Sequence, residues 1–370
     1  LSSLFPLGLL GGLSIVAFSY GHEVKAASEP KVRVLIANRK ELSFRADGNK
    51  PLLISSNNIS RRRVQKLRLV NNNGRINIFI DGRLLKDKLP RRINGLTVSS
   101  NDSRGVWLGK RRYRGKLSVF SSSQSILVVN TLGVEKYLES VVGSEMPKSW
   151  PDAALEAQAI ASRTYAIKQI KKNTKYDIKS NESNQVYLGI ESETPSTSKA
   201  VRKTRSLVLK YKGKLINAVF HSSSGGRTEA SGNVWKNNLP YLLSVEDFDQ
   251  FSPKYHWRVS FNPNQLKSSF NEISGVSNIT IKEISPSGRI ALAEFKGPSG
   301  SILLTGNQIR KKLGLRSTLI RFKLLTNDHF LNKFFSSVQD FSYYKDYSIK
   351  VPTKTMRESI GFWRDWSLGG

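Results

Sequence analysis

Between Val134 and Lys172 the chain reads VEKYLESVVGSEMPKSWPDAALEAQAIASRTYAIKQIKK, two helical patterns broken by Pro147. Proline lacks a backbone donor and drives the residue before it out of helical geometry, so the first helix must end at or before Met146. Glu145 then falls in the last turn. A carboxylate there faces the negative end of the helix dipole, which disfavours its charged form and raises its pKa where the site is also desolvated. That setting suits a general acid, although on position alone a solvated glutamate on a frayed helix end is the better fit, since Glu is mostly exposed.

For the second helix, Ser149 is the expected cap, with Trp150 and Pro151 in the first turn and Asp152 three residues after the cap. Leu155, Ala159, Ser162 and Ala166 form a stripe at helical spacing, with Ala157, Ala161 and Tyr165 alongside. Such small residues allow close packing. Arg163 projects one residue from that stripe, where an arginine is ordinarily a surface charge. Lys168, Lys171 and Lys172 favour the C-terminal end.

The run from Tyr137 to Ala166, with Ser144-Glu145-Met146-Pro147, Ala157-Gln158-Ala159 and Arg163-Thr164-Tyr165-Ala166, resembles the core signature of the SpoIID/LytB family of envelope proteins. Further matches follow in order: Gln185-Val186-Tyr187 with Gly189, then Ala200-Val201 before Thr204. After them come His221-Ser222-Ser223-Ser224-Gly225-Gly226 with Thr228, then Trp235, Pro240-Tyr241-Leu242, and Leu304-Thr305-Gly306 with Arg310. The resemblance implies chemistry on peptidoglycan glycan strands. Some members are lytic transglycosylases acting on strands stripped of stem peptides, and others are amidase enhancers. It implies Glu145 as the acid and Arg163 as a substrate contact, with Gln158, Gln185, Tyr187, His221, Ser222, Ser223, Ser224, Gly225, Gly226 and Thr228 as further binding positions. A transglycosylase needs one carboxyl group, because the sugar's own primary hydroxyl takes the place of water, whereas ordinary glycosidases use two. Some relatives hold a metal; here no metal and no cofactor is expected.

Two departures from the family pattern stand out. Relatives continue to a glycine- and histidine-rich segment with a G-H-G core and a Ser-Gln pair. Here the chain runs through Phe330-Leu331-Asn332-Lys333-Phe334-Phe335 to Gly361-Phe362-Trp363-Arg364-Asp365-Trp366. Glu156 stands where relatives often carry a basic residue.

Leu215 to Phe220 is a short apolar run expected to form a buried strand delivering His221 into the serine and glycine loop. Hydroxyls and free amides in such a loop suit sugar hydroxyls and acetamido groups. A tight polar turn is the plainer reading. A serine hydrolase finds no support, since no G-x-S-x-G elbow is present.

Lys and Arg number 59 against 28 Asp and Glu, a net charge of +31. From Arg61 to Lys116 there are 17 Lys or Arg and three acids, Asp81, Asp87 and Asp102. Such a surface attracts polyanions. No helix-turn-helix, zinc-finger or aromatic RNA-binding signature accompanies it, so anionic envelope polymers are the expected partners rather than nucleic acid, with a cell-wall amidase a further partner implied by the resemblance. Leu1 to Tyr20 carries no charge, and Val24-Lys25-Ala26 resembles a small-x-small cleavage site. Residues 1–26 therefore read as a secretory signal, or a retained anchor, and the protein as exported to the envelope. Cysteine is absent, which excludes disulfides and thiolate chemistry, and the four histidines, His22, His221, His256 and His329, are scattered.

The fold class is α+β. Residues 31–130 read as a basic β-rich region, with strands over Lys31 to Ile36 and Arg75 to Ile80 and turns at Asn71-Asn72-Asn73-Gly74 and Asp81-Gly82. Leu127 to Asn130 leads into the helices. Residues 131–325 form the glycan-acting domain, where Glu191 to Ser198 is a loop and Ser206 to Leu209 and Ile279 to Ile284 are strands. Residues 326–370 are a divergent tail.

Overall fold

The computed structural model describes residues 28–56, 59–85, 93–235 and 237–323. The export signal expected over 1–26 and the tail over 326–370, with His22 and His329, lie outside the described residues. The described chain forms two compact units that divide between Val219 and Phe220. The boundary expected at 130/131 instead falls inside a continuous strand.

In the first unit twelve strands among the described residues precede the first helix. They are β1 (Lys31–Arg39), β2 (Glu41–Arg45), β3 (Leu52–Ser56), β4 (Ile59–Val64), β5 (Lys66–Asn72), β6 (Arg75–Ile80), β7 (Arg83–Leu84), β8 (Asn94–Ser100), β9 (Val106–Leu108), β10 (Arg111–Tyr113), β11 (Lys116–Ser121) and β12 (Ile126–Gly133). With β13 (Ile178–Lys179) they build a seven-stranded sheet ordered β13-β1-β12-β11-β8-β3-β4 and a six-stranded sheet ordered β10-β9-β2-β5-β6-β7. The two-residue hairpins around β6 fall where the sequence placed turns. Asn73 and Gly74 have φ of 51° and 91°, and Asp81 and Gly82 have 48° and 85°. Both central residues of such a turn must be left-handed, which Asn, Asp and Gly tolerate best. Alternation then puts Val32, Val34, Leu117, Val119 and Val128 of the first sheet into one core with Phe44, Leu67, Leu69, Ile76 and Ile78 of the second.

β12 runs straight into α1 (Val134–Glu145), followed by α2 (Asp152–Gln169) and α3 (Pro195–Lys203). Tyr137, Leu138, Val141 and Val142 of α1 and Leu155, Ala159 and Ala166 of α2 join the same core, as the stripe predicted. Gly143 lets α1 approach the 3-10 turn Ile190–Ser192: a Cβ there would sit 1.9 Å from the Ser192 carbonyl oxygen. Strands followed by packed helices make the chain a mixed α+β protein, as the sequence indicated.

Four local expectations are corrected. α2 is capped by Pro151, without a side-chain cap, because Pro147 to Trp150 closes its own turn (Trp150 N–H to Pro147 O, 3.1 Å) and takes Ser149 out of reach. Glu191 to Ser198 is not all loop: Thr194 and Thr197 form a capping box with Pro195 at the first helical position, so α3 starts there. Ser206 to Leu209 forms no strand, since Leu209 N–H bonds the Thr164 hydroxyl at 2.9 Å and Leu207 C=O is taken by Arg163 at 3.2 Å. Leu215 to Phe220 is strand only at its start, where β14 (Lys210–Tyr211) pairs with β15 (Lys214–Leu215). The rest pairs with no strand among the described residues, and Val219 is exposed.

In the second unit, α4 (Ser231–Val234) and α5 (Pro263–Ser269) precede a three-stranded antiparallel sheet, followed by α6 (Gly306–Lys312). The sheet comprises β16 (Asn278–Ile284, as expected), β17 (Ile290–Gly297) and β18 (Gly300–Thr305). Its core is Phe270, Ile273, Ile290, Ala293, Phe295, Ile309, Leu313 and Leu315, with Phe270 stacked on Phe295 at 4.9 Å.

Candidate active site

α1 ends on Glu145. Met146 is extended (φ −135°, ψ 144°), as a residue before proline must be, and its N–H closes on Val142 O. The Glu145 side chain is half-buried, and its Oε1 accepts the Val186 N–H at 2.7 Å. Burial pushes the carboxyl above its ordinary range; the Val186 amide pulls it part of the way back, and the charge of Glu182 adds to the rise. No ion pair reaches Glu145 among the described residues. The group therefore keeps its proton to a higher pH than an exposed glutamate, and can give it to a bound leaving group.

The segment carrying Val186 is anchored on both sides. The Asn184 amide donates to the Tyr165 hydroxyl (2.8 Å), and the Tyr137 hydroxyl donates to the Gln185 side-chain oxygen (3.0 Å). Gln185 Nε2 donates to Ser162 O (3.3 Å), and the Tyr187 hydroxyl donates to Asn130 Oδ1 (2.7 Å). Gln185 and Tyr187 were expected to contact a ligand. Both are buried, so they tie this segment to α1, α2 and β12 instead.

Arg163 is likewise corrected. It is 0% exposed, with Nε and Nη2 donating to the two carboxylate oxygens of Glu135 at 2.9 and 2.8 Å. Its remaining donors reach Val201 O and Leu207 O, each at 3.2 Å. It clamps α2 to the start of α1 and the end of α3, and presents nothing to solvent. Gln158 is partly exposed and donates to Ser162 Oγ at 3.0 Å. Of the four binding positions expected in this unit, it alone remains accessible. Glu156 pairs with Lys203 at 2.8 Å.

The remaining positions belong to the second unit. His221 and Ser222 are exposed. The next residues fold around an acid that the sequence reading missed. The Asp249 carboxylate accepts N–H bonds from Ser224 (2.6 Å), Gly225 (2.9 Å) and Gly226 (2.8 Å), and also accepts the Ser223 hydroxyl. Burial disfavours the Asp249 charge, but the Ser223 hydroxyl and the three amides outweigh it and hold the carboxyl below its ordinary range. Gly225 and Gly226 have φ of 80° and 97°, the left-handed geometry that turns successive amides onto one anion. Arg289 braces the loop from behind by donating to Ser224 O (2.5 Å) and Arg227 O (2.9 Å). Thr228 N–H bonds Val245 O at 2.9 Å. An acid more than twenty residues from the loop left no local signal. Among the described residues no three His, Asp or Glu side chains converge as metal ligands would.

Together these features define a mixed α+β protein with a carboxyl at a helix break that burial raises above its ordinary range, locked to a neighbouring segment by a backbone amide. Residues 122–211 match the family model described as SpoIID, stage II sporulation protein. The chain is 37% identical over 183 residues to an uncharacterized protein of Brachyspira hyodysenteriae, covering 49% of each. It is 38% identical over 141 residues to the amidase enhancer of Bacillus subtilis, covering 38% of this chain and 19% of the relative. It is also 30% identical over 215 residues to stage II sporulation protein D of Bacillus subtilis, covering 53% of this chain and 62% of the relative. The chain thus spans less than two thirds of the length of each of these relatives. Over residues 122–211 the chain is therefore similar to the SpoIID family, and its curated relatives include an amidase enhancer and stage II sporulation protein D.

Proposed function

We propose that the protein acts on peptidoglycan glycan strands in the cell envelope, as a lytic transglycosylase with Glu145 as its acid and base. The observation that carries this reading is the half-buried Glu145 carboxyl, raised by burial and free of any ion pair among the described residues. In this reaction the Glu145 proton passes to the glycosidic oxygen as the bond to the anomeric carbon breaks. The primary hydroxyl of the same sugar closes onto that carbon, and its proton returns to the Glu145 carboxylate. An anhydro-sugar end is left and the acid is regenerated, with no water consumed. The family relationship supports glycan as the substrate class.

A second reading, a wall-binding module that enhances an amidase without cleaving glycan, is favoured by one observation. The relative at 38% identity is an amidase enhancer. Mass spectrometry of peptide-free glycan strands incubated with the protein and with Glu145→Gln separates the two. Anhydro ends made only by the unaltered protein support cleavage; no product from either protein supports the enhancer reading.

Anionic envelope polymers complete the proposal. Arg33, Arg68, Arg104, Arg112, Arg114 and Arg163 are all ion-paired. Arg61, Arg62 and Arg63 lie exposed and without an acidic partner among the described residues, on the edge strand β4. Unneutralised guanidinium groups on a sheet edge suit a polyanion.

A further inference from the structure

The Tyr137 and Gln185 side chains are fully buried: the Tyr137 hydroxyl donates to Gln185, which lies in the segment that runs past Glu145 and donates in turn to Ser162 O on α2. A peptide unit is planar, so the direction of the Val186 N–H is set by the peptide plane that begins at the Gln185 α-carbon. Gln185 is held from two sides, by the Tyr137 hydroxyl and by Ser162 O, and Tyr187 is pinned to Asn130 on the far side of Val186. The Val186 amide lies between these anchors, and its N–H meets Glu145 Oε1 at 2.7 Å.

We propose that Gln185, fixed by Tyr137, is a positioning residue for Glu145: it holds the Val186 N–H on Oε1, so that the transferable proton is carried by Oε2. The chemistry follows from the carboxyl group itself. In a neutral carboxylic acid the carbonyl oxygen is the better acceptor and the hydroxyl oxygen is the donor. An N–H fixed on Oε1 assigns the carbonyl role to that oxygen and leaves the O–H on its partner. Once the proton has left, the same N–H steadies the carboxylate, a charge-assisted bond stronger than a neutral one. One backbone group therefore orients the acid before transfer and stabilises the base afterwards. The proposal rests on the reading of Glu145 as the acid, but the geometry is testable without activity.

The full chain is labelled for NMR, and two quantities are followed: hydrogen exchange at the Val186 amide and titration of the Glu145 carboxyl carbon. The variants are Tyr137→Phe, which removes one hydroxyl and leaves the ring in place, and Gln185→Met, which keeps the volume. Ile78→Val, a core change in the second sheet, serves as a destabilised control. In both test variants the Val186 amide should exchange roughly three- to ten-fold faster relative to the α1 amides, as loss of one net hydrogen bond allows. The Glu145 pKa should rise further, because the group that lowers it has been loosened. Ile78→Val should leave both unchanged. If Tyr137→Phe and Gln185→Met lose stability while Val186 exchange and Glu145 titration stay as in the unaltered protein, the two side chains merely satisfy one another and the proposal fails. If both quantities shift while Glu145→Gln still yields anhydro ends, the positioning stands and the acid assignment falls.

Discussion

Replacing Arg163 by Met should unfasten the helical layer without touching any exposed surface. The guanidinium is 0% exposed, and the Glu135 side chain it grips in two places is only 15% exposed. Methionine fills most of the aliphatic volume, so the cost comes from stranding the Glu135 charge and two carbonyl acceptors in a site poor in water. Breaking one partner of a buried pair costs about 3–5 kcal/mol, a large share of the roughly 5–15 kcal/mol that holds a typical domain folded. Glu135→Gln should cost a similar amount by leaving Arg163 uncompensated, and the double variant should cost clearly less than the sum. With two compact units a single unfolding curve is ambiguous, so native-state hydrogen exchange on the α2 amides is the assay of choice. A folded Arg163→Met protein that keeps its α2 exchange free energy within about 1 kcal/mol would refute the clamp. If that protein also bound glycan more weakly, Arg163 would return to the role the resemblance implied.

Four further outcomes are expected. Glu145→Gln should abolish anhydro products and keep the fold. Because burial raises this carboxyl, its stabilisation is complete below the ordinary glutamate range and is lost as pH rises through the raised value. Thermal melts should then show the variant at least as stable as the parent at neutral pH, with the advantage vanishing in acid. Asp249 is shifted the other way, so its contribution is present above the ordinary aspartate range and lost as pH falls through the depressed value. Asp249→Asn should cost about 1–3 kcal/mol locally at neutral pH, read as faster exchange at Gly225 and Gly226. Replacing Arg61, Arg62 and Arg63 by Gln should lower sedimentation with purified cell wall and flatten its salt dependence, while turnover of short neutral glycan fragments stays the same. Gly143→Ala must push the Ser192 carbonyl away from α1 and should cost about 1–3 kcal/mol in chemical denaturation, whereas the same change at the open Gly213 should leave Gly143-side packing untouched.

What the sequence determined by itself was whatever neighbouring residues decide. Pro147 ends α1 at Glu145 because it acts on the residue before it. Asn73-Gly74 and Asp81-Gly82 make hairpins because the left-handed conformation is a property of those residues. The small-residue stripe fixes the buried face of α2 because a helix repeats over a few residues. The Thr194-Pro195 start of α3 was equally local and could have been read from its capping box. Tertiary structure alone decided which groups meet. Arg163 looks like a surface charge until Glu135, 28 residues earlier, is brought against it. Gln185 and Tyr187 look like ligand contacts until α1 and β12 bury them, and the serine and glycine loop looks open until Asp249 fills it. Apolar character likewise suggested strands at 206–209 and over most of 215–220, but a strand needs a partner for its backbone, and Thr164 and Arg163 took the groups at Leu209 and Leu207. Conformational preference is carried by a few adjacent residues, whereas burial and hydrogen bonding between distant groups exist only once the chain has closed on itself.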